Sequence, residues 1–174
     1  MLRTLFVALS FTLAVVGCLS REPLLPIVKI ETNQGVIEAC LFVNKAPKTA
    51  GQYLSYVEAG AFDNTAFYRV VRDDNQPNNK IKIDVIQGGR SRWDGTQLVD
   101  LPSTLPDLMH ETTQQSGLKH TAGALSMARM APGSANDHIF ITVENEPELD
   151  FGGMRNPDGQ GAGPRRHGHD EHGP

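Results

Sequence analysis

The sequence predicts a mainly β domain, an antiparallel β-barrel with helical caps. Three observations lead there. Strand-like runs are short, numerous and separated by turn residues. One stretch alone carries a helical period. Glycine and proline are abundant, 17 and 11 of 174 residues, which favours a loop-rich sheet fold over a helical bundle. The length suits one domain with a core of its own. The composition, 39% hydrophobic and 21% charged, is that of a globular chain, and a net charge of −4 offers no basic face for nucleic acid.

Residues 27–43, IVKIETNQGVIEACLFV, read as a hairpin. Two β-branched runs alternate around Asn33-Gln34-Gly35, the turn residues. Cys40 lies in the second run and is expected as a small core residue; with two cysteines in the chain there is no disulfide framework. Residues 46–62 read as the helix. Pro47 suits its first turn, Gly60 suits the position past its end, and Tyr53, Leu54 and Val57 recur on one face. Residues 66–71 and 81–87 read as strands. Residues 88–119 look irregular, and a loop of that length is usually functional or wraps the domain. Residues 123–130 (GALSMARM) and 138–143 (HIFITV) read as two more strands, separated by the turn-rich APGSAND, and ENEPELD as a surface loop.

The first residues stand apart. Arg3 precedes an uncharged apolar run over residues 5–19, shorter than the roughly 20 residues of a spanning helix and patterned like a secretory signal. It ends in Val15-Val16-Gly17-Cys18, similar to the lipobox of bacterial lipoproteins. The expected organisation is a signal peptide over 1–17, a lipidated tether over 18–26 beginning at Cys18, a folded domain over 27–161 and a His-rich tail over 162–174. The expected location is the periplasm or cell envelope, with the membrane reached through the lipid.

One side chain asks for a reason. Arg69 sits inside the apolar run FYRVV. It either lays its stem on neighbours and keeps its head in water, or it is aimed at something. Gln87, in VIQGG, can donate and accept, so it can hold a peptide backbone or satisfy the glycine turn that follows it. Phe140 and Val85 read equally well as core.

The motifs FYRVV, VIQGG, LKHTAGALSMAR, PGSAND, IFI and LDFGG, in this order and spacing, resemble the cyclophilin family of peptidyl-prolyl cis-trans isomerases over about residues 27–161. The resemblance implies an eight-stranded barrel capped by two helices, with a substrate groove on its outer face. It makes Arg69 the catalytic arginine and Gln87 the groove glutamine that holds the peptide. Val85 and Phe140 become wall and floor of the proline pocket, Leu149 another wall residue. Ala128 becomes a backbone contact to the residue before proline, and His138 falls on a groove position usually held by glutamine. The substrates implied are proline-containing polypeptides, here unfolded envelope proteins. The chemistry implies no cofactor and no metal, and a monomer is expected.

That chemistry is physically coherent. An X–Pro bond turns slowly because amide resonance sets a barrier of about 18–20 kcal/mol. No proton need move. A guanidinium beside the prolyl nitrogen, always charged and planar, stabilises the twisted amide over the planar one, while an apolar pocket grips the ring. A module that binds X–Pro segments without turning them over, or an inactive fragment, is the alternative reading.

The chain departs from the family pattern at Asp84, Arg129, Met130, His138, Ile139 and Glu148. Past Gly161 the resemblance stops. AGPRRHGHDEHGP replaces a strand, a helix and a closing strand, so a barrel without its C-terminal strands and second capping helix is expected; a shifted reading frame would account for it.

Overall fold

The expected hairpin is formed by β1 (Ile27–Thr32) and β2 (Gly35–Cys40), antiparallel from Ile27↔Cys40 to Thr32↔Gly35. In this computed structural model, residues 24–109 and 111–154 are described. The signal peptide expected over 1–17, Cys18 and the tail expected over 162–174 lie outside those residues. At the hairpin turn the Thr32 hydroxyl accepts from the Gln34 N–H and donates to the Gly35 carbonyl, while Gly35 takes a φ of 137°. Val28, Ile30, Ala39 and Leu41 turn inward. Cys40 corrects the sequence expectation, because it is exposed. Its register partner is Ile27, itself 63% exposed, and with a strand period of two it shares the outward face with Glu38 and Val36.

Helix α1 (Pro47–Glu58) begins with Pro47 at its first position, and Gly60 closes it at a φ of 62°. Ala46 offers no capping side chain. Glu111 supplies the cap from a distant loop: its carboxylate accepts from Lys48 N at 2.8 Å, Thr49 N at 2.9 Å and the Thr49 hydroxyl at 2.5 Å. A negative charge there meets both the orphan N–H groups and the positive end of the helix dipole. Ala50 and Tyr53 pack from the helix onto Val28, Leu41 and Ile139.

The central sheet runs β3 (Ala66–Val71), β4 (Val85–Gly89), β8 (His138–Thr142) and β7 (Leu125–Met127), antiparallel throughout. Strand β4 starts later than expected. Residues 81–84 leave the ladder because side chains take their backbone groups: Gln76 donates to the Ile83 carbonyl, and the Asp84 N–H donates to the Glu146 carboxylate. Strand β7 is shorter than its apolar run. The stretch over 88–119 is less irregular than expected. It holds a small hairpin of β5 (Ser91–Trp93) and β6 (Leu98–Asp100), and one helical turn, α2 (Thr113–Ser116), with a capping box at Thr112 and Gln115.

The mainly antiparallel β class is as expected; the described residues hold two helices, α1 and the single turn α2. The barrel is not closed among the described residues: the two hairpins and the four-stranded sheet share no ladder. The β1–β2 hairpin and α1 cover one face of the sheet, through Phe67 and Ile139. A cavity of about 1140 Å³ remains between hairpin, helix and β3–β4. The opposite face carries a second core of Val71, Ile83, Val85, Ala128, Phe140 and Leu149.

Candidate functional site

The strand register builds the site. Arg69 pairs with Gln87, Gln87 with Phe140, and Phe140 with Ser126, so a single row crosses the four strands. Cross-strand partners share a face, so the row stands on the side away from the hairpin. The Arg69 guanidinium donates from Nη1 to Gln87 Oε1 at 2.9 Å. Arg69 is half-buried, and burial lowers its pKa; its high intrinsic value keeps the guanidinium charged.

Under this row lies the apolar cluster. Val85, Ala128, Phe140 and Leu149 are brought together from β4, the end of β7, β8 and a 3₁₀ turn over Pro147–Leu149. Each is at most 3% exposed. None of the expected site residues lines the 1140 Å³ cavity, which belongs to the other face. His120 stacks on Phe140 with ring centroids 5.7 Å apart. Its Nδ1 lies 2.9 Å from Asp150 Oδ1 and its Nε2 3.2 Å from the Ser126 hydroxyl. Burial pushes the His120 pKa down, against the pull of the Asp150 hydrogen bond and charge. The ring is neutral, donates to the Asp150 carboxylate and accepts from Ser126.

Tyr68 escaped the sequence reading. A β-bulge between Phe67 and Arg69 leaves Tyr68 without a register partner on β4. Successive strand residues normally face opposite ways, and a bulge re-aims one of them. Tyr68 and Arg69 therefore both reach Gln87: Gln87 Nε2 donates to the Tyr68 oxygen at 2.8 Å. The Tyr68 oxygen also lies 2.9 Å from His138 Nδ1. His138, expected in the groove, thus holds Tyr68 with one ring nitrogen and faces Asp137 Oδ1 with the other at 3.5 Å; its side chain is 26% exposed. No pattern in the chain marks Tyr68 or the buried Asp137. His120 lies within LKHTAGALSMAR, yet nothing in the order of residues places it behind Phe140. Among the described residues no group of three or more His, Cys, Asp or Glu could hold a metal ion.

With this geometry in hand, comparison with known proteins is direct. The family model described as cyclophilin type peptidyl-prolyl cis-trans isomerase/CLD matches residues 27–155. The chain is 35% identical over 127 residues to peptidyl-prolyl cis-trans isomerase B of Escherichia coli (strain K12), covering 72% of this chain and 68% of the relative. It is 34% identical over 124 residues to peptidyl-prolyl cis-trans isomerase-like 1 of Neurospora crassa, covering 71% and 68%. A crystal structure of a Cryptosporidium parvum cyclophilin type peptidyl-prolyl cis-trans isomerase, in the presence of the dipeptide Ala-Pro, is 25% identical with a TM-score of 0.49 and 72% of each chain covered. The chain belongs to the cyclophilin type peptidyl-prolyl cis-trans isomerase family. It is an isomerase, and the bond it turns is X–Pro.

Proposed function

We propose that the row Arg69–Gln87–Phe140 is the isomerisation site, and that its substrates are proline-containing segments of unfolded polypeptides in the cell envelope. The observation that carries the first part is the Arg69–Gln87 hydrogen bond of 2.9 Å beside the cluster headed by Phe140. Gln87 holds one edge of the guanidinium and leaves other N–H groups for substrate. A donor fixed before the amide twists needs little reorganisation during the twist. Phe140 and Val85 grip the proline ring, Leu149 walls the pocket, and Ala128 meets the residue before proline through its backbone. The protein acts as a monomer without a cofactor.

Export and a lipid on Cys18 are supported by the uncharged apolar run over 5–19 after Arg3 and by Val-Val-Gly before the cysteine. Proton NMR exchange on a short X–Pro peptide tests the activity. Wild-type protein broadens the cis and trans signals, and Arg69→Ala leaves them sharp; equal exchange in both removes Arg69 from the mechanism. Mass spectrometry of the protein isolated from its host tests the anchor: a mature chain that still contains residues 1–17 refutes it.

A further inference from the structure

Tyr68, His138 and Asp137 extend the site beyond the groove, and the direction of their hydrogen bonds is constrained. Arg69 has only donors, so Gln87 must present Oε1 to it and Nε2 to Tyr68. The Tyr68 oxygen accepts that N–H, and its own proton is left for His138 Nδ1. A His138 Nδ1 that accepts carries no proton, so the ring proton sits on Nε2, facing Asp137 Oδ1. Asp137 is 3% exposed and is held by the Ser103 hydroxyl at 2.6 Å and by Arg90 at 3.8 Å. Every donor from Arg69 to His138 points the same way, toward Asp137.

We propose that Tyr68 and His138 are positioning residues for the isomerase, fixing the Gln87 amide so that its oxygen faces Arg69. The inference rests on the reading of Arg69 and Gln87 given above. The Tyr68 hydroxyl gives Gln87 Nε2 an acceptor on the side away from Arg69, so the amide is satisfied at both ends only with Oε1 toward the guanidinium. His138 Nδ1 holds that hydroxyl in turn. Without the Tyr68 oxygen Gln87 Nε2 loses its partner, and the guanidinium loses its fixed place.

The charged and titratable groups around this pair are few. Tyr68 faces His138 from β3, with ring centroids 5.7 Å apart at 89°. Asp137 precedes His138 in the chain, Arg90 follows β4 and approaches Asp137, and Asp100 on β6 and Arg69 act electrostatically on Tyr68. Burial, foremost, pushes the Tyr68 pKa up to about 12, so the phenol keeps its proton at neutral pH. The close approach needs Gly89: a Cβ there would lie 2.6 Å from His138 Nδ1.

The test is kcat and peptide Kd by NMR exchange and titration on one X–Pro peptide at neutral pH, with Arg69→Ala as control. Tyr68→Phe keeps the ring and loses the hydroxyl; it lowers kcat about tenfold and changes Kd less than threefold. His138→Leu mimics the loss seen in Tyr68→Phe. His138→Asn, whose Oδ1 can accept from Tyr68, recovers most of it. If Arg69→Ala is inactive while Tyr68→Phe keeps wild-type kcat, the positioning role is wrong. It is wrong too if Tyr68→Phe weakens Kd as much as it lowers kcat and His138→Asn recovers nothing relative to His138→Leu, as a purely structural role would give. If Arg69→Ala keeps activity, the reading beneath the inference falls and takes it along.

Discussion

Arg69 and Gln87 stand opposite one another in register across β3 and β4, and the guanidinium donates to the amide oxygen at 2.9 Å. An arginine in an apolar strand is usually a solvated head on a packed stem. Here the head is tied to a side chain that is 2% exposed, beside a phenylalanine that is 2% exposed. The charge is therefore held in place above an apolar cluster before any peptide arrives.

Replacing Arg69 by lysine keeps the charge and loses the planar fork. A flexible ammonium cannot both hold Gln87 and present donors in a fixed plane. We expect kcat to fall roughly 100-fold, with the Kd for an X–Pro peptide changed far less. Exchange kinetics together with a titration read the two separately, and a lysine variant within threefold of wild type would show that charge alone suffices.

Gly89→Ala tests how closely β4 and β8 approach. The added Cβ would lie 2.6 Å from His138 Nδ1 and 2.8 Å from the Asp137 carbonyl. The backbone contact cannot yield by a side-chain rotation. The expected loss is about 1–3 kcal/mol in urea unfolding, with kcat lowered as well because the His138 ring is displaced. Wild-type values of both would mean that β8 shifts freely.

Glu111→Ala removes the cap of α1 without touching the site. Three donors, Lys48 N, Thr49 N and the Thr49 hydroxyl, lose their acceptor. The expected destabilisation is about 1–2 kcal/mol, seen as a lower urea midpoint with an unchanged slope. Kinetics in the absence of denaturant should stay within twofold of wild type.

Acid should loosen the fold in two steps. Burial depresses the His120 pKa below its ordinary value of 6.5, so the unfolded chain takes up that proton first. Stability then falls as pH drops below about 6.5, until the folded value is reached. Burial raises the Asp150 pKa, but the His120 backbone and side-chain hydrogen bonds and nearby cations outweigh it, leaving the carboxyl below 3.8. That contribution is present above about 3.9 and is lost as pH falls through the folded value. Urea midpoints from pH 7.5 to 3 should show both declines. His120→Asn should remove the first; a first decline unchanged in that variant would assign it to another group.

Much of this was readable in the order of residues. The 27–40 alternation around Asn33-Gln34 specifies a hairpin, and Pro47 and Gly60 bracket a helix, because turns and helix ends are governed by local backbone chemistry. Arg69, Gln87, Phe140 and Leu149 were named from motif order. Cys40 was misplaced because an apolar run does not say which of its alternating faces is covered. Residues 81–84 were placed in a strand because nothing local reveals that Gln76 and Glu146 will claim their backbone groups.

The sequence by itself determined the antiparallel β class, the hairpin, the helix and the family, since each rests on local periodicity or on a run of motifs. Only the tertiary structure decided that Arg69, Gln87, Phe140 and Ser126 form one row, because strand order and register join residues far apart in the chain. It alone placed Tyr68 beside Arg69: a bulge breaks the strand period at one position, and the bonds that follow from it, to Gln87 and His138, form only once three strands are paired.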